Sequence, residues 1–303
     1  MTARFASAGP LKAYEMCSGP DFLCVGMAKA GTGWLGDQLR HHPQFWMPPV
    51  QELAYLGRDA PALRSANRKL VRIQKRAQRK KNPGKDGLDE REIGFLRDIT
   101  ACTGQRRSIE KYVSFFRHKG ELLSGDISPG YSTLEPDVIS ALSARLPNLR
   151  VILLIRDPVE RLWSHVCMWH RNGKFDDAVL SSASRFREYL NDAEMATRRS
   201  FPSTILTHWE KFEPAIRFRH FFFDDIASRP KHVRSEVLLF LGADPEATGE
   251  GIPANYNRKS QSAKLEMTEP IKAVLIEHFA GELRACAARV GGCATNWTAR
   301  YGL

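Results

Sequence analysis

Asp21-Phe22-Leu23-Cys24-Val25-Gly26-Met27-Ala28-Lys29-Ala30-Gly31-Thr32-Gly33-Trp34-Leu35 is the stretch on which the fold turns. Asp21 to Met27 is a short apolar run bounded by Gly19-Pro20 before it and by glycines after it, the pattern of a buried strand. A helix is predicted to begin near Thr32, to place Leu35 and Leu39 on one face and to stop before Pro43. Between strand and helix, glycines let backbone N–H groups converge on an anion, and the helix N-terminus adds positive potential. Lys29 and Thr32 supply a charge and a hydroxyl. This reads as a phosphate-binding loop, with a plain glycine-rich turn as the alternative. A nucleoside triphosphatase loop would read GxxxxGK[ST], its Lys following the last glycine. Lys29 precedes Gly31-Thr32, so that pattern fails.

Working outward, Val151-Ile152-Leu153-Leu154-Ile155 is a second continuous apolar run, of the kind found in a parallel sheet covered on both faces. Asp157-Pro158-Val159-Glu160 follows with three helix-start signals: Asp as N-cap, Pro at the first position and Glu at the third. Leu122 to Ile127 and Phe218 to Phe223 read as further strands. Leu134 to Leu146, Thr204 to Ile216, Lys231 to Leu241 and Pro270 to Val290 read as helices. Alternating strands and helices predict an α/β fold with a mostly parallel, P-loop-like sheet flanked by helices. There is no internal repeat or Pro/Ser linker, so residues 1–303 are expected to form a single domain. Within it, 60–104 reads as a basic helical insertion and 255–303 as a C-terminal helical cap.

The chain is 43% hydrophobic with 10% aromatics, ordinary for a globular protein. No stretch approaches the roughly 20 apolar residues of a membrane-spanning helix. The opening MTARFASAGPLKAYEMCSGP lacks an apolar core of the secretory kind, which points to a cytoplasmic address, with a peripheral position at a membrane as the variant. Cys17, Cys24, Cys102, Cys167, Cys286 and Cys293 form no CxxC pair, so reduced thiols are expected and no metal. A Cys286–Cys293 disulfide is the minority alternative.

The net charge of +11 is unevenly placed. Arg64, Arg68, Lys69, Arg72, Lys75, Arg76, Arg79, Lys80, Lys81 and Lys85 make a run of ten basic residues without an acid, and its removal leaves +1. A solvated helical insertion, an acidic acceptor or anionic lipid headgroup, and nucleic acid are the three readings. Few aromatics are interleaved, which weighs against single-stranded nucleic acid.

Lys29-Ala30-Gly31-Thr32-Gly33-Trp34-Leu35 resembles the K-x-G-T-x-x-L loop of sulfotransferases that use 3'-phosphoadenosine 5'-phosphosulfate (PAPS). The resemblance implies that Lys29, Ala30, Gly31, Thr32, Gly33 and Trp34 hold the 5'-phosphosulfate. It also implies that Lys29 stabilises charge on the oxygen bridging phosphorus and sulfur. Arg156-Asp157-Pro158-Val159-Glu160-Arg161-Leu162-Trp163-Ser164 resembles the family's R-x-P-x-x-R-x-x-S, in which the first Arg and the Ser bind the donor's 3'-phosphate. Ser164 lies seven residues beyond Asp157, nearly two helical turns and about 10 Å along the axis, so Arg156 and Ser164 can bracket one anion. Gly125-Asp126-Ile127-Ser128-Pro129-Gly130-Tyr131 is similar to the G-E-x-S-P-x-Y segment of the bacterial and glycan-directed branch, with Asp126 in place of Glu. Tyr112-Val113-Ser114-Phe115-Phe116 also fits that branch.

Transfer of a sulfuryl group to a hydroxyl or amine needs a base for the acceptor's proton. Pro49-Val50-Gln51-Glu52-Leu53-Ala54-Tyr55 is similar to the branch's P-x-K-E-x-x-Y/F, which places Glu52 as that base and Gln51 where Lys is usual. His165 and His170, on the helix after the second motif, are expected to be structural or to touch donor or acceptor. Asn255 to Lys264 resembles the late loop that covers the nucleotide, with Arg258 and Lys259 as candidates for the 3'-phosphate. The resemblance therefore implies PAPS as donor, 3'-phosphoadenosine 5'-phosphate (PAP) as product, and a glycan, glycolipid or small hydroxylated molecule as acceptor. A P-loop kinase or NTPase and a basic nucleic-acid-binding protein are the rival readings. The sequence does not speak to oligomeric state.

Overall fold

Two apolar runs, Phe22 to Val25 and Val151 to Ile155, define the centre of the architecture, since neither has a polar face to turn to water. The computed structural model of the chain describes residues 19–57, 66–68, 70–71, 88–102, 107–192, 198–247, 252–256 and 265–303. In it these runs form the inner strands β1 (Phe22–Gly26) and β3 (Arg150–Ile155) of a four-stranded sheet. The edges are β2 (Gly125–Ile127) and β4 (Arg217–Phe222), in the order β2-β1-β3-β4. Every pairing is parallel, with Phe22 opposite both Gly125 and Arg150, and Arg150 opposite Arg217. A side chain at Gly125 would put its Cβ 2.4 Å from the Phe22 ring, so glycine is what lets β2 approach β1. β4 alternates accessible and less accessible positions, as an edge strand does.

The helices are α1 (Thr32–Arg40), α2 (Glu90–Ala101), α3 (Ile109–Ser114), α4 (Pro136–Arg145), α5 (Pro158–Arg171) and α6 (Ala183–Asp192). α7 (Pro202–Glu210), α8 (Phe223–Ser228), α9 (Pro230–Leu241), α10 (Glu269–Val290) and α11 (Cys293–Tyr301) follow. This is the expected α/β arrangement of a parallel sheet flanked by helices. Two boundaries differ from expectation by more than two residues. β2 begins at Gly125 rather than Leu122, because Leu123 instead exchanges backbone bonds with Gln44 and Trp46 (both 2.9 Å), joining the chain before residue 50 to the sheet. α7 ends at Glu210, and a turn through Pro214 leads into β4.

Asp157 caps α5 as expected, its carboxylate accepting from the Val159 N–H at 2.9 Å. Glu160 does not close a capping box: it faces Arg156, whose Nη2 donates to it at 3.3 Å. The second Asp157 oxygen accepts from Tyr301 Oη (2.8 Å) and Arg300 Nη1 (3.1 Å), which ties the end of the chain to the start of α5. Cys24, Cys102, Cys167, Cys286 and Cys293 are all free thiols, so the Cys286–Cys293 bridge is not formed; Cys17 lies outside the described residues. Of the ten basic residues from Arg64 to Lys85 only Arg68 is described, and it is exposed. No helix among the described residues is long and apolar enough to cross a membrane.

Candidate active site

Parallel strands present their carboxyl ends at one edge of the sheet, and ligands bind where connections from adjacent strands diverge. Here the chain leaves β1 towards β2 on one side and returns to β3 on the other, so the divergence lies at Gly26, Ile127 and Ile155. The phosphate loop follows β1 and the Arg156 motif follows β3. Arg156 joins them, donating from Nη1 to the Lys29 carbonyl at 3.1 Å. It lies 4.5 Å from the Phe223 ring centroid, and burial lowers its guanidinium pKa from the ordinary value. Arg161, fully buried on α5, adds a second link from Nη1 to the Ala28 carbonyl at 3.5 Å and a bond to the Ser200 hydroxyl. Burial, then the neighbouring Arg156, lowers its pKa to about 10.

The loop itself is shaped for an anion. Gly31 has φ 100° and no side chain caps the start of α1. Its amides from Thr32 to Trp34 precede the first intrahelical bond, made by the Leu35 N–H to the Gly31 carbonyl at 3.0 Å. A Cβ on Gly31 would meet Ile226 and Phe223 at 3.1 and 3.3 Å, whereas one on Gly33 would meet nothing within 4 Å. Gly31 is thus needed for the turn, and the surface over Gly33 is open. Ala30 is buried and anchors the loop through its N–H to the Met27 carbonyl at 3.1 Å. Trp34 Nε1 donates to the Ala254 carbonyl at 2.7 Å, and Gln38 Nε2 to the Pro253 carbonyl at 3.0 Å. These two bonds place the start of the late loop beside α1. Arg258 and Lys259 themselves lie outside the described residues. Ser164 is half-buried on α5, two turns from its cap.

Glu52 is brought to the same edge by a device that sequence reading missed. Asp126, at the end of β2 and 1% exposed, accepts from Ser128 Oγ (2.6 Å), Tyr131 Oη (2.7 Å), Tyr112 Oη (3.2 Å) and the Leu53 N–H. Ser128 Oγ in turn accepts from the Ala54 N–H at 2.9 Å, and Tyr131 Oη from the Leu56 N–H at 3.3 Å. The G-D-x-S-P-x-Y segment therefore grips residues 53–56, immediately after Glu52. Desolvation raises the Asp126 pKa to about 6, against the opposing pull of these hydrogen bonds. The signal for this hub was present as an acid next to a Ser and a Tyr, but its partners come from three separate stretches of chain.

Three non-glycine residues among the described ones have left-handed backbone: Lys29 (φ 72°), Glu52 (φ 53°) and Ala54 (φ 46°). Such conformations are uncommon for residues with a Cβ and collect at functional sites. Glu52 opens to solvent, yet the protein packed around it raises its carboxyl above the ordinary carboxylate range by desolvation. Gln51 beside it is exposed. The two histidines of α5 differ: His170 Nδ1 pairs with Asp177 at 2.6 Å on the surface, whereas His165 is buried.

A parallel sheet with a phosphate-type loop after one inner strand and an arginine-bearing helix start after the other is an arrangement able to hold a phosphorylated ligand. Residues 20–246 match the sulfotransferase family, and the chain belongs to it. It is 23% identical over 310 aligned positions to carbohydrate sulfotransferase 15 of Homo sapiens and, at the same identity, to that of Mus musculus. In each case 89% of this chain is covered and 53% of the relative, so the chain spans about half the length of these curated relatives. Its fold is similar to a sulfotransferase from Alicyclobacillus acidocaldarius, with TM-score 0.60 and 20% identity, covering 92% of this chain and 98% of the other.

Proposed function

We propose that this chain transfers the sulfuryl group of PAPS to a hydroxyl of a carbohydrate or glycolipid acceptor, releasing PAP. The observation that carries the donor assignment is the Arg156 to Lys29 bond, which holds two phosphate-binding motifs together at one sheet edge. The uncapped α1 start and the open surface over Gly33 suit the 5'-phosphosulfate, with Lys29 and Thr32 beside it. Arg156 and Ser164 are assigned to the 3'-phosphate. Lys29 precedes Gly31-Thr32 rather than following the last glycine, so the loop lacks the Walker order of a kinase. The carbohydrate acceptor is supported by the similarity to carbohydrate sulfotransferase 15.

In the reaction, the acceptor oxygen forms a bond to sulfur as the bond from sulfur to the bridging oxygen breaks. Glu52 takes the acceptor's proton, and its raised proton affinity suits a base. Lys29 meets the negative charge that develops on the leaving oxygen. Placing both on strained, left-handed backbone fixes their geometry before substrate arrives.

Melting temperature followed against PAP and against ATP with magnesium tests the donor assignment. A ligand at 100 times its Kd stabilises the native state by about 2.7 kcal/mol. PAP is expected to raise the melting temperature in that range; a rise with ATP and magnesium but not with PAP overturns the assignment. Incubation with labelled PAPS over polysaccharides, glycolipids and small alcohols then identifies the acceptor class.

A further inference from the structure

His165 is 5% exposed, and neither ring nitrogen has a hydrogen-bond partner among the described residues. Buried polar side chains are nearly always paired in a folded protein, and those that are not call for a specific explanation. The neighbours identify one. His165 stands one helical turn beyond Arg161 on α5 and feels the charges of both Arg161 and Lys29. The ring of Trp169 packs edge-on at 4.4 Å between centroids and offers no acceptor. Both unpaired nitrogens are therefore buried, one turn of α5 from Arg161 and within the electrostatic reach of Lys29, and an anionic oxygen is the complementary group for such a setting.

We propose that His165 is a further donor-binding residue, giving a ring N–H to an anionic oxygen at the 5' end of the sulfuryl donor beside Lys29. This rests on the donor assignment above. Burial, then Arg161 and Lys29, lowers the imidazole pKa to about 4, so the ring is neutral at pH 7. A ring held neutral by burial and by nearby positive charge is a poor proton acceptor, which separates His165 from the base role of Glu52. It remains a good N–H donor, and it supplies that N–H without adding a third positive charge beside Lys29 and Arg161. No bond is made or broken at His165: the contact orients the donor and shares the charge of its oxygens.

The test uses the full chain carrying ¹⁵N-labelled histidine, with the His165 ring signals assigned by their loss in His165→Gln. Saturation with PAP or with PAPS is expected to shift those signals and to raise the pH midpoint of the ring. A shift with both ligands places the contact on a phosphate oxygen, and a shift with PAPS alone places it on the sulfuryl group. Unmoved His165 signals, with PAP still raising the melting temperature, overturn this inference and leave the donor assignment standing. Failure of PAP and PAPS to bind at all overturns both. In turnover, His165→Phe is expected to lower kcat/KM for the donor about 100-fold. His165→Gln, which keeps an N–H, should recover to within about tenfold of wild type. Equal losses in the two variants, both folded, would make the ring a proton acceptor instead and overturn the proposal.

Discussion

The proposed donor side and the proposed acceptor side of this site are built in different ways. On the donor side, two strand, turn and helix units supply the phosphate loop and the Arg156 motif from consecutive residues, and two arginine-to-carbonyl bonds stitch them together. On the acceptor side, Glu52 lies outside any helix or strand and is positioned through its neighbours, which Asp126, Ser128 and Tyr131 hold by side-chain bonds. Backbone geometry makes the first half robust and local. The second half depends on a buried polar network, whose members stand or fall together.

The largest expected effect separates charge from scaffold on the donor side. Lys29→Ala should reduce transfer by about 10³-fold, the upper range for a group that stabilises developing charge, while the melting temperature falls little. Turnover near wild type in that variant would show that the loop does not hold the reacting group. Next comes the acceptor side. Glu52→Gln should leave PAP binding intact and slow turnover by about 100-fold or more, read by donor titration and steady-state rate. Because desolvation raises the Glu52 carboxyl, the acid limb of the wild-type rate profile should lie above the usual carboxylate range and vanish in the Gln variant.

The smallest effect on rate, and the most informative on architecture, belongs to Asp126→Asn. The new amide can accept from some of the four donors but turns an N–H towards another, for a stability loss of about 1–3 kcal/mol and turnover lowered by roughly tenfold as Glu52 loses its frame. Its pH dependence is specific. The folded-state pKa of Asp126 is raised from 3.8 to about 6, so its relative stabilisation is present below pH 3.8 and lost as pH rises through 6. His165 is lowered from 6.5 to about 4, so its contribution is present above pH 6.5 and lost as pH falls through 4. The two oppose each other in wild type. Removing Asp126 leaves the His165 slope, and denaturant unfolding between pH 4 and 6.5 should show stability rising more steeply with pH in Asp126→Asn.

The same contrast explains what was readable along the chain. Phe22 to Val25 and Val151 to Ile155 announce buried parallel strands because both faces of such strands must be apolar, and Asp157-Pro158 announces a helix start through its own backbone chemistry. Glu160, read as a helix-start signal, turns its carboxylate to Arg156, four residues away, a stronger partner for it than a backbone N–H. Trp34 was read from its motif position as a donor-loop residue; its indole N–H also holds Ala254, a contact 220 residues apart that no local pattern contains. Arg161 appeared as one letter of a motif, and its complete burial emerged only from packing.

The phosphate loop, the Arg156 motif and the order of the elements were therefore determined by the sequence alone, since glycine freedom, helix caps and apolar runs act over a few residues. The tertiary structure decided which side chains meet. It drew Asp126, Tyr112, Tyr131 and the 53–56 backbone into one network, and it left His165 buried with neither ring nitrogen paired among the described residues. Those outcomes depend on desolvation and on contacts between distant segments, and both arise only when the chain has packed.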